Sequence, residues 1–332
     1  MTLQMDTGAS APGGASPPRP APAPVRSPKR NLLHRFDAKG APYLFVSPFF
    51  VVFGIFGAFP LMYTAWVSLH DWNLLEETHP FIGLENYAKI LTDEQFWNAT
   101  YNTMGMFVLA TIPQLLLALW LAALLNRSLR MRTFFRMSLL IPNITSIAAV
   151  AIIFAQLFST DFGMVNWLLS ATGLDNQDWH SNRYLSWIAI STMVNWRWAG
   201  YNALIFLAAM QAVPRDLYES AAIDGATRSR QFWSITIPML KPTLLFCIIV
   251  STIGNLQLFV EPLLFNSGSY SILGGQGREA QTITMYMYEN AFGDYNNFGY
   301  GSAVAWMLFL IIVVIALVNA LVTRRISGEG KR

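Results

Sequence analysis

Charged residues are scarce in this chain of 332 residues, in which Asp, Glu, Lys and Arg together make up only 12%. That is about half of the ~25% found in soluble proteins. Hydrophobic residues account for 54%, and the mean hydropathy is +0.38. So much apolar surface excludes a disordered chain and argues against a soluble enzyme. The single cysteine, Cys247, excludes a disulfide framework and a cysteine-based zinc site. The composition is typical of a polytopic membrane protein.

Long uncharged stretches indicate where the chain crosses the membrane, because a helix needs about 20 apolar residues to span a bilayer. Five such runs contain no Asp, Glu, Lys or Arg, and a sixth, residues 184–214, is interrupted only by Arg197. Polar segments separate the runs. We therefore predict an all-α membrane protein with six transmembrane helices, near 43–69, 100–126, 134–158, 184–210, 242–265 and 298–323.

The basic residues predict the orientation, because Lys and Arg are enriched in cytoplasmic segments. With six spans, the N-terminal tail, residues 127–136, residues 211–241 and the C-terminal tail share one side. These four segments hold 18 of the 22 Lys and Arg residues. Both termini are therefore predicted to be cytoplasmic. The basic excess reflects topology and does not indicate affinity for nucleic acid.

The two ends of the chain differ in composition from the spans. Residues 1–40 are rich in Pro and Ala and show no apolar periodicity, so we predict a disordered cytoplasmic tail. The membrane domain is expected to cover residues 41–326. Residues 327–332 are expected to form a short basic cytoplasmic tail.

Residues 212–240, between the fourth and fifth spans, are longer than a simple connection needs to be. Pro214 suits the start of a helix, and Gly225 suits a left-handed residue that ends it. Thr227 can cap a second short helix before Pro238 and the fifth span. We expect two short helices on the cytoplasmic surface, in a position suited to docking another protein.

This segment resembles the EAA motif of permease subunits in binding-protein-dependent bacterial ABC importers, most closely the maltose-type and lactose-type sugar permeases. The motif reads E-A-A, three residues, G, nine residues, then I-x-L-P. Ser220 replaces the first alanine, and Ile237 replaces the leucine. The matching positions that the resemblance assigns to ATPase coupling are Tyr218, Glu219, Ser220, Ala221, Ala222, Asp224, Gly225, Ile235 and Pro238. The resemblance covers about residues 42–326 and implies the type I importer permease fold.

The resemblance also implies the partners and the location. A second, homologous permease subunit would complete the pathway, two ATPase subunits would drive it, and an extracytoplasmic binding protein would deliver sugar. The location would be the bacterial plasma (inner) membrane. The chain has no G-x-x-x-x-G-K-[ST] sequence, so it is expected to be no enzyme and to hold no cofactor or metal. ATP and Mg would be bound by the ATPase subunits, with residues 215–225 as the coupling helix.

Polar and aromatic residues within the fourth and fifth spans are candidates for the sugar pathway. Sugars are held by aromatic faces and by amide or carboxylate groups. The alternative for each is an interhelical hydrogen bond. The candidates are Asn195, Trp196, Arg197, Trp198, Tyr201, Asn202, Asn255, Gln257, Phe259 and Glu261. For Arg197, a role in contacting substrate and an ion pair with Glu261 or a partner's acid are both open.

Two other classes of membrane protein fit the sequence less well. A secondary sugar transporter would carry more intramembrane carboxylates, whereas Glu261 is the only acid in a predicted span. A membrane-embedded enzyme would need paired carboxylates or a histidine cluster within the spans. Both leave residues 215–238 unexplained. The resemblance, in the fourth and fifth spans, implies a β-linked disaccharide such as cellobiose or lactose as the first expectation for the substrate, with glycerol 3-phosphate or a related polyol as the alternative.

Overall fold

The computed structural model describes residues 32–127, 130–266, 273–275, 277–293 and 295–327. Within these ranges the chain is helical, and its only β-pairing consists of two isolated bridges. The helices are α1 (Leu32–Phe53), α2 (Phe59–Val67), α3 (Glu85–Thr92), α4 (Glu94–Leu125), α5 (Arg132–Ile144), α6 (Ile147–Leu157), α7 (Met164–Ala171), α8 (Arg183–Gln211), α9 (Arg215–Ile223), α10 (Arg228–Gln231), α11 (Ile237–Met239), α12 (Lys241–Leu256), α13 (Val260–Asn266), α14 (Ile283–Phe292) and α15 (Phe298–Ser327). Wider π-helical turns join α1 to α2 and α10 to α11.

The chain divides after Phe59 into two units. In the first unit α1 begins at Leu32, so the prediction of disorder up to residue 40 is wrong for residues 32–40. The reason is that the prolines of the tail end at Pro28, and the Leu, Arg, Ala and Lys residues that follow favour a helix. Residues 1–31 and 328–332, which include most of both predicted tails, lie outside the described residues.

Among the described residues, three helical segments are long and apolar enough to cross a membrane, and they correspond to the first, second and sixth predicted spans. They are Tyr43–Val67, Glu94–Leu125 and Phe298–Leu321. Helix α8 agrees with the fourth predicted span to within one residue at each end. The described residues also contain two bent helix pairs, and the number of segments that pass this test is up to five if each pair forms one span. The number six stays a prediction.

The third predicted span is not one continuous helix. Helices α5 and α6 meet at an angle of 90°. Pro142 supplies no backbone hydrogen-bond donor in the last turn of α5, and Thr145 takes an extended conformation with ψ 143°. The prediction of a single helix over 134–158 is therefore wrong, and α5 ends at Ile144.

The fifth predicted span is also interrupted, after Leu256. Helix α13 starts at Val260, with Pro262 in its first turn. A proline ring clashes with the carbonyl four residues earlier, which for Pro262 is that of Leu258, and this disfavours a continuous helix here. The Leu258 carbonyl instead accepts hydrogen bonds from the hydroxyls of Thr282 at 2.9 Å and Thr284 at 2.5 Å. The single helix predicted for 242–265 is corrected to two helices around an unwound step at residues 257–259.

The interior of the second unit is built around α4 and α8, which pack along each other. Small residues allow the close approach of neighbouring helices. A Cβ atom on Gly200 of α8 would overlap the backbone carbonyl of Leu139 in α5. Buried Met106, Ile190 and Met193 belong to one apolar cluster between these elements. Helix α12 packs on α4, and α15 packs on α12 and α14.

At the end predicted to face outward, polar side chains join α4, α8, α14 and the segment before α14. We call this set the outer network. Arg278 forms an ion pair of 2.5 Å with Glu289, which also accepts from Gln281 at 2.7 Å. The other members are Asp93, Gln95, Asn98, Asn102, Arg183, Tyr286 and Tyr300. Helix α14 was not predicted from the sequence.

Candidate functional site

The coupling segment, residues 212–240, begins with the nine-residue helix α9. Pro214 precedes the helix as its N-cap residue. Gly225 follows its end with φ +79°, as the sequence predicted. The N–H of Ala226 donates to Ala221 at 2.9 Å, and the N–H of Gly225 donates to Ala222 at 3.0 Å. This pair of bonds is a Schellman motif, which favours glycine because other residues are strained at positive φ.

The second half of the coupling segment folds back onto the membrane helices. Thr227 caps α10 by accepting a hydrogen bond from the Arg230 N–H, as predicted. The hydroxyl groups of Tyr218 and Thr236 lie 2.9 Å apart and connect the two halves. Tyr218, Phe232 and Ile235 pack against the apolar cluster at the ends of α4 and α8. This packing fixes the base of the segment, and Tyr218 attaches α9 to it.

The side chains of α9 are largely solvent-exposed. No residue of the helix is buried, and the exposed fraction of Ile223 is 87%. Glu219 and Ala222 are exposed, whereas Tyr218 and Ala221 are half-buried. Asp224, Gly225 and Pro238 are also exposed, and Ser220 bonds only to carbonyl groups one turn earlier. An exposed helix with an isoleucine and an acid on its surface is suited to insertion into a groove of another protein.

A buried ion pair joins α8 to α13. The Arg197 Nη1 and Glu261 Oε1 atoms are 3.0 Å apart, and both side chains are less than 10% exposed. Of the two roles considered for Arg197, the structure contains the ion pair with Glu261. The Arg197 Nε atom is buried without a hydrogen-bond partner among the described residues. The pair lies beside the unwound step that precedes α13.

Two of the predicted pathway amides form hydrogen bonds to polar side chains of neighbouring helices. Asn255 donates to Thr111 at 2.9 Å and to Gln114 at 3.3 Å, and Asn202 donates to Ser251 at 3.4 Å. Asn202 and Asn255 are buried. Thr111, Gln114 and Ser251 were not singled out from the sequence, although they are polar residues within uncharged spans. This network holds α4, α8 and α12 together.

The remaining pathway candidates are more accessible. Trp196, Trp198 and Tyr201 are exposed on α8, and Trp198 and Tyr201 contact each other edge to face with ring centres 5.9 Å apart. Gln257 is exposed in the unwound step. Half-buried Phe259 follows it and lies 5.4 Å from the ring of Tyr288. Asn195 is half-buried and donates to the Leu109 carbonyl at 3.3 Å.

Comparison with known proteins identifies the family. A profile described as "Binding-protein-dependent transport system inner membrane component" matches residues 114–328. The match covers more than half of the chain and includes the whole coupling segment. The chain therefore belongs to this family of transport permeases, as the EAA motif indicated. The family is one of transport proteins and not of catalytic enzymes.

Individual relatives match over nearly their full length. A lactose transport system permease protein of Rhizobium radiobacter is 34% identical over 88% of this chain and 96% of the relative. An arabinooligosaccharides transport system permease protein of Bacillus subtilis is 33% identical over 89% of this chain and 92% of the relative. A trehalose/maltose transport system permease protein of Thermococcus litoralis is 33% identical over 85% of this chain and 93% of the relative.

A solved structure has the same fold. It is a chain of a bacterial alginate ABC transporter in complex with an alginate pentasaccharide-bound periplasmic protein. The TM-score is 0.73 at 24% identity, with 90% of this chain and 99% of that chain covered. The type I importer permease fold that the resemblance implied is thereby confirmed.

Proposed function

We propose that this chain is a membrane subunit of an ATP-driven importer that takes up a di- or oligosaccharide. The single observation that carries the proposal is the exposed helix α9, ended by Gly225 at φ +79° within a segment that matches the EAA motif. The similarity to permeases named for lactose, arabinooligosaccharides and trehalose/maltose supports a sugar as the transported solute.

In this proposal the coupling segment transmits movement from the ATPase subunits to the spans. Helix α9 would sit in a groove of one ATPase subunit, with Glu219 toward polar groups there. Because Tyr218 and Ile235 pack against the ends of α4 and α8, displacement of α9 would be passed to these spans. The nucleotide would then bias a two-state change between inward-open and outward-open arrangements.

The sugar would pass between this subunit and a homologous partner. The exposed side chains of Trp198, Tyr201 and Gln257 supply aromatic faces and an amide, which are the groups that recognise sugar rings and hydroxyls. Asn202 and Asn255 support the path indirectly, because their amides are bonded to neighbouring helices. An extracytoplasmic binding protein would deliver the sugar, and ATP and Mg would be bound by the ATPase subunits.

A neutral substrate fits the described residues better than a phosphorylated one. Glycerol 3-phosphate would need positive charge in the pathway, but Arg197 is already paired with Glu261 at 3.0 Å. A β-linked disaccharide such as cellobiose or lactose remains our first candidate. Both termini are proposed to face the cytoplasm of a bacterial cell, following the distribution of Lys and Arg.

The test is sugar-stimulated ATP hydrolysis by the complex reconstituted with its partner subunits and binding protein. We expect stimulation by cellobiose, lactose or a related oligosaccharide, and loss of most of it in Glu219→Ala without loss of assembly. Arg130→Ala is the control, because this exposed residue lies outside the coupling segment but on the same predicted side of the membrane. Sugar uptake by this chain alone, with no ATPase bound, would contradict the proposal.

A further inference from the structure

A cavity of about 740 Å³ lies where the coupling segment meets the membrane helices. The end of α4 forms one wall, and the second half of the coupling segment forms the opposite wall. The cavity is within the size range of small-ligand sites. The residues that line it include Trp120, Arg127, Arg228, Phe232 and Trp233.

The lining of this cavity is amphipathic. Leu116, Leu119 and Phe232 form an apolar part, whereas Arg127 and Arg228 contribute two positive charges. Neither arginine takes part in an ion pair among the described residues. No acidic side chain lines the cavity within the part of the chain that the structure describes. The occupant that complements this lining has an apolar body and an anionic group at one end.

The position of the cavity specifies this occupant further. Trp120 is 57% exposed and Trp233 is 64% exposed, and tryptophan is enriched where a membrane meets water. Arg127 follows α4, a membrane-spanning candidate, on the side that the basic residues predict to be cytoplasmic. Basic pockets between membrane helices on that side bind anionic lipid headgroups.

We infer that this cavity binds an anionic phospholipid of the cytoplasmic leaflet, with its phosphate at Arg127 and Arg228 and an acyl chain along Trp120 and Phe232. Tyr218 of the motif also lines the cavity. The lipid would therefore contact the base of the coupling segment directly. Lipid composition would then affect how firmly α9 is held relative to α4.

The experiment measures lipid contact in the full complex, reconstituted in phosphatidylcholine nanodiscs. The probes are phosphatidylglycerol and phosphatidylcholine with brominated acyl chains, which quench nearby tryptophan. Quenching at the cavity is measured as the difference in quenching between the wild type and Trp120→Phe. We expect brominated phosphatidylglycerol to give this signal at a lower mole fraction than brominated phosphatidylcholine. We expect Arg127→Gln and Arg228→Gln each to reduce that preference about fivefold.

Three controls keep the result interpretable. Arg230→Gln removes a charge from the same short helix outside the cavity and should leave the preference unchanged. Arg228→Lys should retain most of the preference. Equal quenching by the two lipids, or an equal loss in Arg230→Gln, would overturn the inference. Absence of any quenching at Trp120 would also overturn it, because another protein segment would then fill the cavity. The measurement needs no transport, so it can fail independently of the proposed function.

Discussion

The outer network and the coupling segment lie in the same subunit but satisfy their polar groups in different ways. In the outer network, Glu289 accepts hydrogen bonds from Arg278, Gln281 and Gln95, which lie on different parts of the chain. Among the described residues, the side-chain hydrogen bonds of the coupling segment stay within that segment. Most polar groups of the outer network thus find their hydrogen-bond partners among the described residues of this chain, although Asn102 Oδ1 is buried without one.

This difference indicates where the subunit needs partners. A polar network with its partners supplied internally fixes one arrangement of the helices. In the proposed function, the exposed side chains of α9, such as Ile223 and Glu219, would acquire contacts only on docking to an ATPase subunit. We expect substitutions at the outer end to change stability with little effect on coupling, and substitutions in α9 to do the reverse.

The largest effect is expected at the buried pair between these two regions. Arg197→Met leaves the Glu261 carboxylate buried without its partner, which should lower the free energy of unfolding by about 3–5 kcal/mol. Thermal unfolding of the purified complex measures this loss. The double variant Arg197→Met, Glu261→Gln should recover most of it, because no unpaired charge remains. If the double variant is as unstable as the single one, the main partner of Arg197 is a group other than Glu261.

The next largest effect is expected in the outer network at Tyr286. Its hydroxyl donates to the Asp93 carboxylate, and Tyr286→Phe removes that bond, at an expected cost of about 1.5–3 kcal/mol. Burial, followed by the bond to Asp93, raises the pKa of Tyr286 above the usual value. The stabilising contribution of this proton is therefore complete below the ordinary tyrosine pKa of about 10 and declines above it. The thermal stabilities of the wild type and of Tyr286→Phe should therefore approach each other as the pH rises from 7 to 11. Sugar-stimulated ATP hydrolysis should be unchanged at pH 7.

The bounds of α8 and the layout of the coupling segment were accessible from the sequence, because they depend on local signals. Gly225 and Thr227 act through their own backbone geometry, so their roles could be predicted from residue type and position. The breaks at Thr145 and after Leu256 were missed, because hydropathy does not report where a proline interrupts a helix. Helix α14 was missed for a related reason, since the outer loops carry no long apolar run.

The pathway residues show the limit of sequence reasoning more clearly. Asn202 and Gln257 are both polar residues in predicted spans, but one is buried in a hydrogen bond to Ser251 and the other is exposed. Which face of a helix meets its neighbours depends on the packing of the whole bundle. No pattern within one span distinguishes the two amides.

The third-largest free-energy change is expected at Gly225, where it should be seen as a loss of activity. A residue with a side chain at φ +79° costs about 1–2 kcal/mol, so Gly225→Ala should shift the end of α9 and reduce sugar-stimulated ATP hydrolysis on the order of tenfold. Gly225→Asn is the matched control, because asparagine tolerates the left-handed conformation and should retain more activity. The cost of a side chain here comes from the backbone conformation and not from a steric clash, since nothing lies within 4 Å of a Cβ at this position. Thermal stability should change little in either variant, and a large loss of it would contradict the independence of the two regions.

The smallest effect is expected for Arg278→Gln, and it tests whether the outer network acts as one unit. The side chains of Arg278 and Glu289 are 28% and 18% exposed, so the isolated pair should contribute about 1 kcal/mol at most. The Arg278 carbonyl continues to accept from Asn98 and Asn102 in the variant, because the backbone is unchanged. Lys89→Gln is the matched control, since its pair with Glu85 is 56% exposed on both sides and should contribute almost nothing.

Thermal unfolding in low and high salt distinguishes a network from separate pairs. A loss in Arg278→Gln that exceeds the control and persists in high salt indicates a network that holds the outer ends of α4 and α14 together. Equal losses of thermal stability in both variants that disappear in high salt would instead indicate that the outer network consists of independent surface pairs.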